Sequence, residues 1–464
     1  MKAHLTLVAA SLLLVACSSP AQRPDSGLEA PATWDTANTA GARQVNQQWW
    51  TAFGSPQLNQ LIEQARRGSY DLASALARVR QARAGVVVAG GPLLPELAGG
   101  LNANRKKLLR GSGYSELDAD SNNDAVDYFN ASLTATYEVD FWGGKRAARD
   151  SAELAARASE FERATVELSL LSSVATAYTQ LLALHEQQRI AELNLANAQN
   201  VLKLVQTRHD SGSATQLELA QQKSSVAAQQ RQLPQVRQHA EETRITLAAL
   251  LGQPVQALQL NTQAFDTLRW PSIASGVPSD LLNRRPDIAR AEAQLAAAQA
   301  DVIVARAAML PNVILTANLG SGANRVADML RNPLYNLTGG LVAPIFNNGR
   351  LSAERDRATA RQEELLQTYR EAIINGFADV EKALNAVRRL DEQRRWQHEE
   401  LSQAQSAFRI AQSRYEAGAE DLLSVLETQR TLYAAQDLNV QLRQARLGAS
   451  IALYKALGGG WQVQ

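Results

Sequence analysis

The sequence predicts an α+β membrane protein made by internal duplication, in which each copy carries a hairpin of strands and a hairpin of very long helices. Three observations predict it. Arg208–Gly212 (RHDSG) returns as Arg414–Gly418 (RYEAG), and Leu250-Leu251-Gly252 as Ala456-Leu457-Gly458, both at an offset of 206. Asp71-Leu72-x-x-Ala75 returns as Asp287-Ile288-x-x-Ala291, and Leu94-Pro95 as Leu310-Pro311, at 216. Units this long are a duplicated domain rather than solenoid repeats. The second observation is a strict apolar/polar alternation from Tyr128 to Phe141, the period of a strand with two unlike faces. The third is a seven-residue apolar spacing sustained along proline-free stretches, the mark of a coiled-coil seam.

The chain opens with Lys2 and an apolar stretch, Leu5–Ala16, too short to span a bilayer as a helix and ending Leu14-Val15-Ala16-Cys17. This reads as a signal peptide over residues 1–16. Cys17 is the only cysteine, so no disulfide framework is available within one chain, and a thiol at that place is best used as a lipid acceptor. The segment resembles a bacterial lipoprotein signal, which implies S-diacylglycerol and an N-acyl or palmitoyl group on Cys17. Ser18 in the second mature position points to the outer membrane. Residues 17–56 then read as a lipidated tether, rich in Ser, Pro, Ala, Thr and Asn up to about Gln48.

The first copy is expected over 57–252 and the second over 279–458, with a linker at 253–278 and a tail at 459–464. In each, an Ala-rich helix comes first; Pro286-Asp287 places proline in the first turn and a carboxylate against the helix dipole. Strand hairpins follow at about 97–141 and 312–346. In the first, Phe129, Ala131, Leu133, Ala135, Tyr137, Val139 and Phe141 alternate with Asn130, Ser132, Thr134, Thr136, Glu138 and Asp140. That length and pattern suit a membrane-spanning strand with lipid on one side and a lumen on the other, with Glu138 and Asp140 facing the lumen. The same alternation also suits a half-buried sheet in a periplasmic domain. Pro344 sits awkwardly in a strand running to Phe346.

Helical hairpins are expected over 144–252 and 349–458. Leu154, Phe161, Leu168, Ala175 and Leu182 recur every seven residues, as do Leu366, Ile373, Val380 and Val387. A helix from Gly144 to His209 would measure on the order of 100 Å at ~1.5 Å per residue. Turns at Gly212 and Gly418 reverse the chain. Around the second turn lie Tyr415, Glu420, Asp421 and Glu427, and around the first Arg208, Asp210 and Glu218. Carboxylates from several chains brought to one axis would repel each other, bind cations and accept hydrogen bonds from Arg or Tyr of a neighbouring hairpin. Four strands cannot close a barrel, and an open edge cannot face lipid, so membrane insertion requires several chains to share one barrel.

With these residues in view, the chain resembles the TolC-like outer membrane factors, and among them the lipidated OprM and NodT type of efflux outer membrane lipoprotein. The matches are Trp49-Trp50-x-x-Phe53 with Pro56, Leu58, Leu61, Ile62 and Ala65; Ala77-Arg78-Val79-x-Gln81-Ala82; Tyr137–Gly143 (YEVDFWG); and Leu281–Glu292 (LLNRRPDIARAE). The family's usual Asn before Asp71 is replaced by Ser69-Tyr70, and Ala419 stands where Val or Thr is common. The resemblance implies a homotrimer with a twelve-stranded β-barrel, four strands per chain, continuous with a periplasmic α-helical barrel. It implies a Gram-negative outer membrane location, contact with outer membrane lipid, and a passive conduit for drugs, xenobiotics or siderophores. The partners implied are a periplasmic adaptor of the membrane fusion type, meeting the tip turns, and an inner-membrane pump of RND or ABC type. By analogy, Glu420 and then Glu427 are the first candidates for an axial ring.

Other classes fare worse. The histidines are scattered, and there is no HExxH, phosphate-binding loop or spare cysteine, so neither catalysis, a metal site nor a cofactor other than the lipid is expected. A net charge of +1 with dispersed signs gives no reason to expect nucleic acid. Alternatives within reach are a type I protein-secretion conduit, a metal-ion efflux conduit, or a non-channel periplasmic coiled-coil scaffold; the strand hairpins argue against the last.

Overall fold

A computed structural model describes residues 24–35, 46–107, 125–261, 263–271, 273 and 276–462. The signal segment 1–16, Cys17 and the extreme C-terminus lie outside the described residues. The duplication is visible in the order and length of the elements. Copy one runs α1 (Pro56–Gly68), α2 (Tyr70–Gly90), β1 (Glu96–Lys106), β2 (Val126–Val139), α3 (Gly144–Asp210) and α4 (Gln216–Leu250). Copy two runs α5 (Pro278–Arg284), α6 (Pro286–Ala307), β3 (Asn312–Ala323), β4 (Pro333–Val342), α7 (Arg350–Glu416) and α8 (Leu422–Ala456). The long helices have 67 residues in both copies and the return helices 35.

The chain forms two compact units, and neither is one of the sequence copies. One draws on Arg78–Ser159 and Arg290–Tyr369, the other on Gly27–Ala77, Glu160–Ala289 and Arg370–Gln464. Each unit therefore needs corresponding pieces of both copies. In the first unit the four strands form a single antiparallel sheet in the order β1-β2-β3-β4, with β2 and β3 joining the copies. β2 ends two residues before the alternation in the sequence does. Asp140, expected to face the lumen from a strand, lies beyond the strand end. It accepts the backbone N–H groups of Lys145 (2.9 Å) and Arg146 (3.0 Å) at the start of α3. The carboxylate satisfies donors that a helix start leaves open, and this takes the chain out of the sheet. β4 ends at Val342, so Pro344 falls outside it.

In the second unit, the core is built around Trp49, Phe53 and Tyr454, with Trp49 and Tyr454 stacked at 5.2 Å. Leu58, Leu61, Ile62 and Ala65 of α1 are fully buried in it, an apolar stripe at helical spacing. Of the coiled-coil seam, Ala175, Leu182, Ile373 and Val380 are buried. The segment between the copies is a packed belt. Arg443 of α8 donates to the carbonyls of Asp266 (2.7 Å) and Leu268 (3.3 Å). Trp270 meets the guanidinium groups of Arg394 at 3.5 Å and Arg443 at 4.7 Å.

The RRPD motif builds a buried ion network. Arg285, 8% exposed, forms a fork to Asp287 (3.0 and 2.6 Å) and donates to Asp379 (3.1 Å) and the Ala456 carbonyl (3.3 Å). Burial alone would push the Asp287 carboxyl up, but the hydrogen bonds and charge of Arg285 outweigh it and hold the group below the usual carboxylate range.

The LG repeats have a shared physical cause. Gly252 (φ 70°) and Gly458 (φ 82°) follow the ends of α4 and α8 in left-handed backbone. A Cβ on Gly252 would overlap the Gly68 carbonyl, and one on Gly458 the Arg284 carbonyl, at the C-terminal ends of α1 and α5. Gly212 and Gly418 have the same backbone (φ 75°) but no backbone group within contact range of a Cβ. Gly418→Ala is therefore expected to cost only the left-handed strain, about 1–2 kcal/mol. Gly458→Ala adds a collision between two backbones and is expected to cost more. Thermal unfolding of the two variants in detergent checks this; equal losses would contradict the close-approach account.

Candidate functional site

Two places carry the functional candidates: the helical tips in the second unit and the polar face of the sheet in the first. At both tips, α3 and α7 end in the same hydrogen-bonded turn. Ser213 N–H reaches Arg208 O (2.7 Å) and Gly212 N–H reaches His209 O (2.9 Å). The second tip repeats this with Ala419 to Arg414 (2.9 Å) and Gly418 to Tyr415 (3.0 Å). These pairings are a Schellman closure, in which glycine supplies the left-handed residue. The return helices are capped at equivalent positions by unlike residues. Thr215 and Glu218 form a reciprocal capping box, whereas Asp421 accepts Ser424 N–H at 2.9 Å. Those bonds hold the Asp421 carboxyl below its ordinary range.

A polar contact joins the tips. Arg208 reaches from the first hairpin and donates Nη1 to the Tyr415 carbonyl at 2.8 Å, with its guanidinium 4.5 Å from the centre of the Tyr415 ring. A cation thus meets the C-terminal end of α7 and an aromatic face together. Tyr415 is 2% exposed and packs with Val205, Leu219, Leu422 and Val425. Its hydroxyl is buried and makes no hydrogen bond of ordinary geometry.

The remaining candidates separate by partner. Glu420 pairs with Arg414 (3.2 Å) and accepts from Ser424 (3.1 Å). Asp421 is engaged as the N-cap of α8, and Glu218 accepts the Thr215 N–H (2.6 Å) as the third residue of α4 in the capping box. Glu427 pairs with Arg430 at 2.6 Å and Asp210 accepts from Gln206 at 2.8 Å, both on open surface. Among the described residues no cluster of His, Cys, Asp and Glu has the makings of a metal site.

The sheet has two unlike faces. One presents Leu97, Leu101, Leu133, Leu315, Leu319, Tyr335, Leu337 and Leu341, all exposed. The other places Ala98, Thr134, Asn318 and Asn336 in register, beside a row of Gly100, Ser132, Gly320 and Leu334 and another of Asn102, Asn130 and Gly322. Glu138 stands at one end of that face and pairs with Lys145 at 3.0 Å. Trp142, past the strand end and half exposed, donates Nε1 to the Pro311 carbonyl at 2.7 Å. No described helix is long and apolar enough to cross a membrane. The exposed apolar sheet face backed by a polar one has the pattern of membrane β-barrel strands, which together with the long helical hairpins points to the class of β-barrel membrane channels.

The comparisons with known proteins agree. The outer membrane efflux protein family model matches residues 61–253 and 277–459. The chain is 62% identical over 461 residues, covering 99% of it and 97% of the relative, to the pyoverdine export outer membrane protein OpmQ of Pseudomonas aeruginosa. It is 30% identical over 419 residues to the cation efflux system protein CusC of Escherichia coli, covering 90% of this chain and 89% of that one. The solved structure of the outer-membrane channel OprN superposes with a TM-score of 0.88 at 28% identity, covering 95% of this chain and 98% of that one. The chain belongs to the outer membrane efflux protein family. It is an outer membrane channel of a tripartite efflux system and a passive conduit, not an enzyme. Its fold is that of the family's trimeric channels, whose barrel takes four strands from each chain.

Because the Tyr415 hydroxyl makes no hydrogen bond of ordinary geometry, Tyr415→Phe is expected to leave stability within about 0.5 kcal/mol. Arg208→Ala, which removes a charged hydrogen bond and the cation above the ring, is expected to cost about 1–3 kcal/mol. Denaturation of the purified variants reads both. A loss above about 1 kcal/mol for Tyr415→Phe would show that the hydroxyl is held by a partner after all.

Proposed function

We propose that this channel exports a siderophore of the pyoverdine class, drawing energy from an inner-membrane pump of RND or ABC type through a periplasmic adaptor. The observation that carries the cargo assignment is the 62% identity over nearly the whole chain to a pyoverdine export protein, beside 58% identity over 460 residues to its Pseudomonas putida counterpart. The drop to 30% for a cation efflux relative favours the siderophore over a metal ion. Lipidation of Cys17 anchors the chain in this reading, and the turns at Gly212 and Gly418 meet the adaptor.

The gate in this reading lies at the tips. The Arg208–Tyr415 contact ties the second hairpin to the first, and docking of the adaptor releases it. In the resting state Glu420 and then Glu427 from three chains ring the axis at the constriction, where they bind cations and accept hydrogen bonds from Arg of a neighbouring hairpin. Tyr415→Ala and Glu420→Ala are expected to raise conductance in planar bilayers and sensitise cells to large antibiotics; unchanged values for both would sink the gate assignment.

The cargo assignment is tested in the producing strain. Deleting the gene is expected to lower siderophore in the culture supernatant and raise it in the periplasm, with restoration by the intact gene. Unchanged supernatant siderophore, with retention of a drug or metal instead, would overturn the assignment.

A further inference from the structure

The four strands hold five charged side chains, and every one stands near a strand end. Glu96, Arg105 and Lys106 are on β1, and Asp127 and Glu138 on β2. β3 and β4 carry none. Register fixes where these charges fall. At one end of the sheet Arg105 and Asp127 face one another on the apolar side, and Lys106, opposite Val126, stands on the polar side just beyond Asn104. Glu96 and Glu138 occupy the opposite end of the polar side, where Glu138 is paired with Lys145.

Between those ends, from the row of Ala98 to that of Asn104, the polar face has no ionised group. Seven residues at ~3.3 Å make this band about 20 Å along a strand. What it offers instead is Asn102, Asn104, Asn130, Ser132, Thr134, Asn318 and Asn336, with bare backbone at Gly100, Gly320 and Gly322 and one exposed leucine, Leu334, beside Gly320. Amides and hydroxyls both donate and accept hydrogen bonds. They bond partly to one another, as Asn318 Nδ2 does to Thr134 Oγ1 at 2.8 Å. Tyr128 is the only aromatic on this face, and it lies across Gly322, where a Cβ would collide with its ring.

A pore selects by charge through a fixed field at its lining, from rings of like-charged side chains or from dipoles that all point one way. Amides and hydroxyls that both donate and accept supply neither. Such a band can exchange hydrogen bonds with a hydrated molecule and release it, because each site is weak and the sites are many.

We propose that the polar face of β1–β4 is a neutral hydrogen-bonding sleeve that accepts anionic, cationic and zwitterionic polar cargo alike, so that sorting by charge is left to other parts of the conduit. The inference rests on this face lining the lumen. It does not depend on the cargo being a siderophore.

The sequence holds a single cysteine, Cys17, so a thiol introduced into the sleeve reports against a low background. Asn336→Cys and Ser132→Cys, in neighbouring rows, would be made in the full chain and reconstituted into lipid vesicles. Each would be treated with a cationic or an anionic methanethiosulfonate reagent, with the unsubstituted protein as blank and rates normalised to a free thiol. The two normalised rates are expected to agree within about threefold, a potential of roughly half kT. A wider ratio of either sign would reveal a fixed field in the sleeve and overturn the proposal. Labelling by a membrane-permeant maleimide alone would overturn it too, by turning the face away from water. Either result leaves the siderophore assignment to its own export assay.

Discussion

The constraint on which the rest depends is the hydrogen-bonding capacity of two strand edges. β1 and β4 each pair on one side only within the chain, leaving a row of backbone N–H and C=O groups on the other. In hydrocarbon each unsatisfied group costs several kcal/mol, and no water is there to take them. An apolar face of exposed leucines says that the sheet meets lipid; the open edges say that it cannot do so alone. Closure across chains resolves the conflict and makes the oligomer a condition of insertion. The duplication serves this end economically, since β2 and β3 join the copies into one four-stranded third of a barrel.

At the tips the same logic of unsatisfied groups operates in water. A helix end leaves carbonyls open, and in this chain a left-handed glycine, a Schellman turn and an N-cap close both hairpins in a way that is equivalent in geometry and different in residues. Thr215 with Glu218 does in copy one what Asp421 with Ser424 does in copy two. Where the copies depart from each other, function has room to enter. Tyr415 stands where copy one has His209, and Arg208 reaches it across the two hairpins, giving the duplicated turn one contact that is not itself duplicated.

Much of this was legible in the sequence. The repeat offsets, the alternation through β2, the two long helices and the glycine turns follow from local rules that residue types obey wherever they stand. The end of β2 did not, because the alternation runs on through Phe141 while Asp140 turns away to cap α3; a period in the sequence does not show which competing donor a carboxylate will take. Composition marks residues 253–278 only as a linker, although Trp270 is the sort of residue that needs a partner. Its partners, Arg394 and Arg443, lie more than a hundred residues away. The Arg285 network and the Arg208–Tyr415 contact are also long-range, and charge alone gave candidates at the tips without saying which were already engaged as caps.

The most direct test of the central claim is a cryo-electron microscopy map of the protein extracted from outer membranes in detergent. The account predicts a threefold particle in which β4 of each chain pairs with β1 of the next, closing twelve strands with no free edge. A particle in which either edge stays open, or is covered by another part of its own chain, would contradict it.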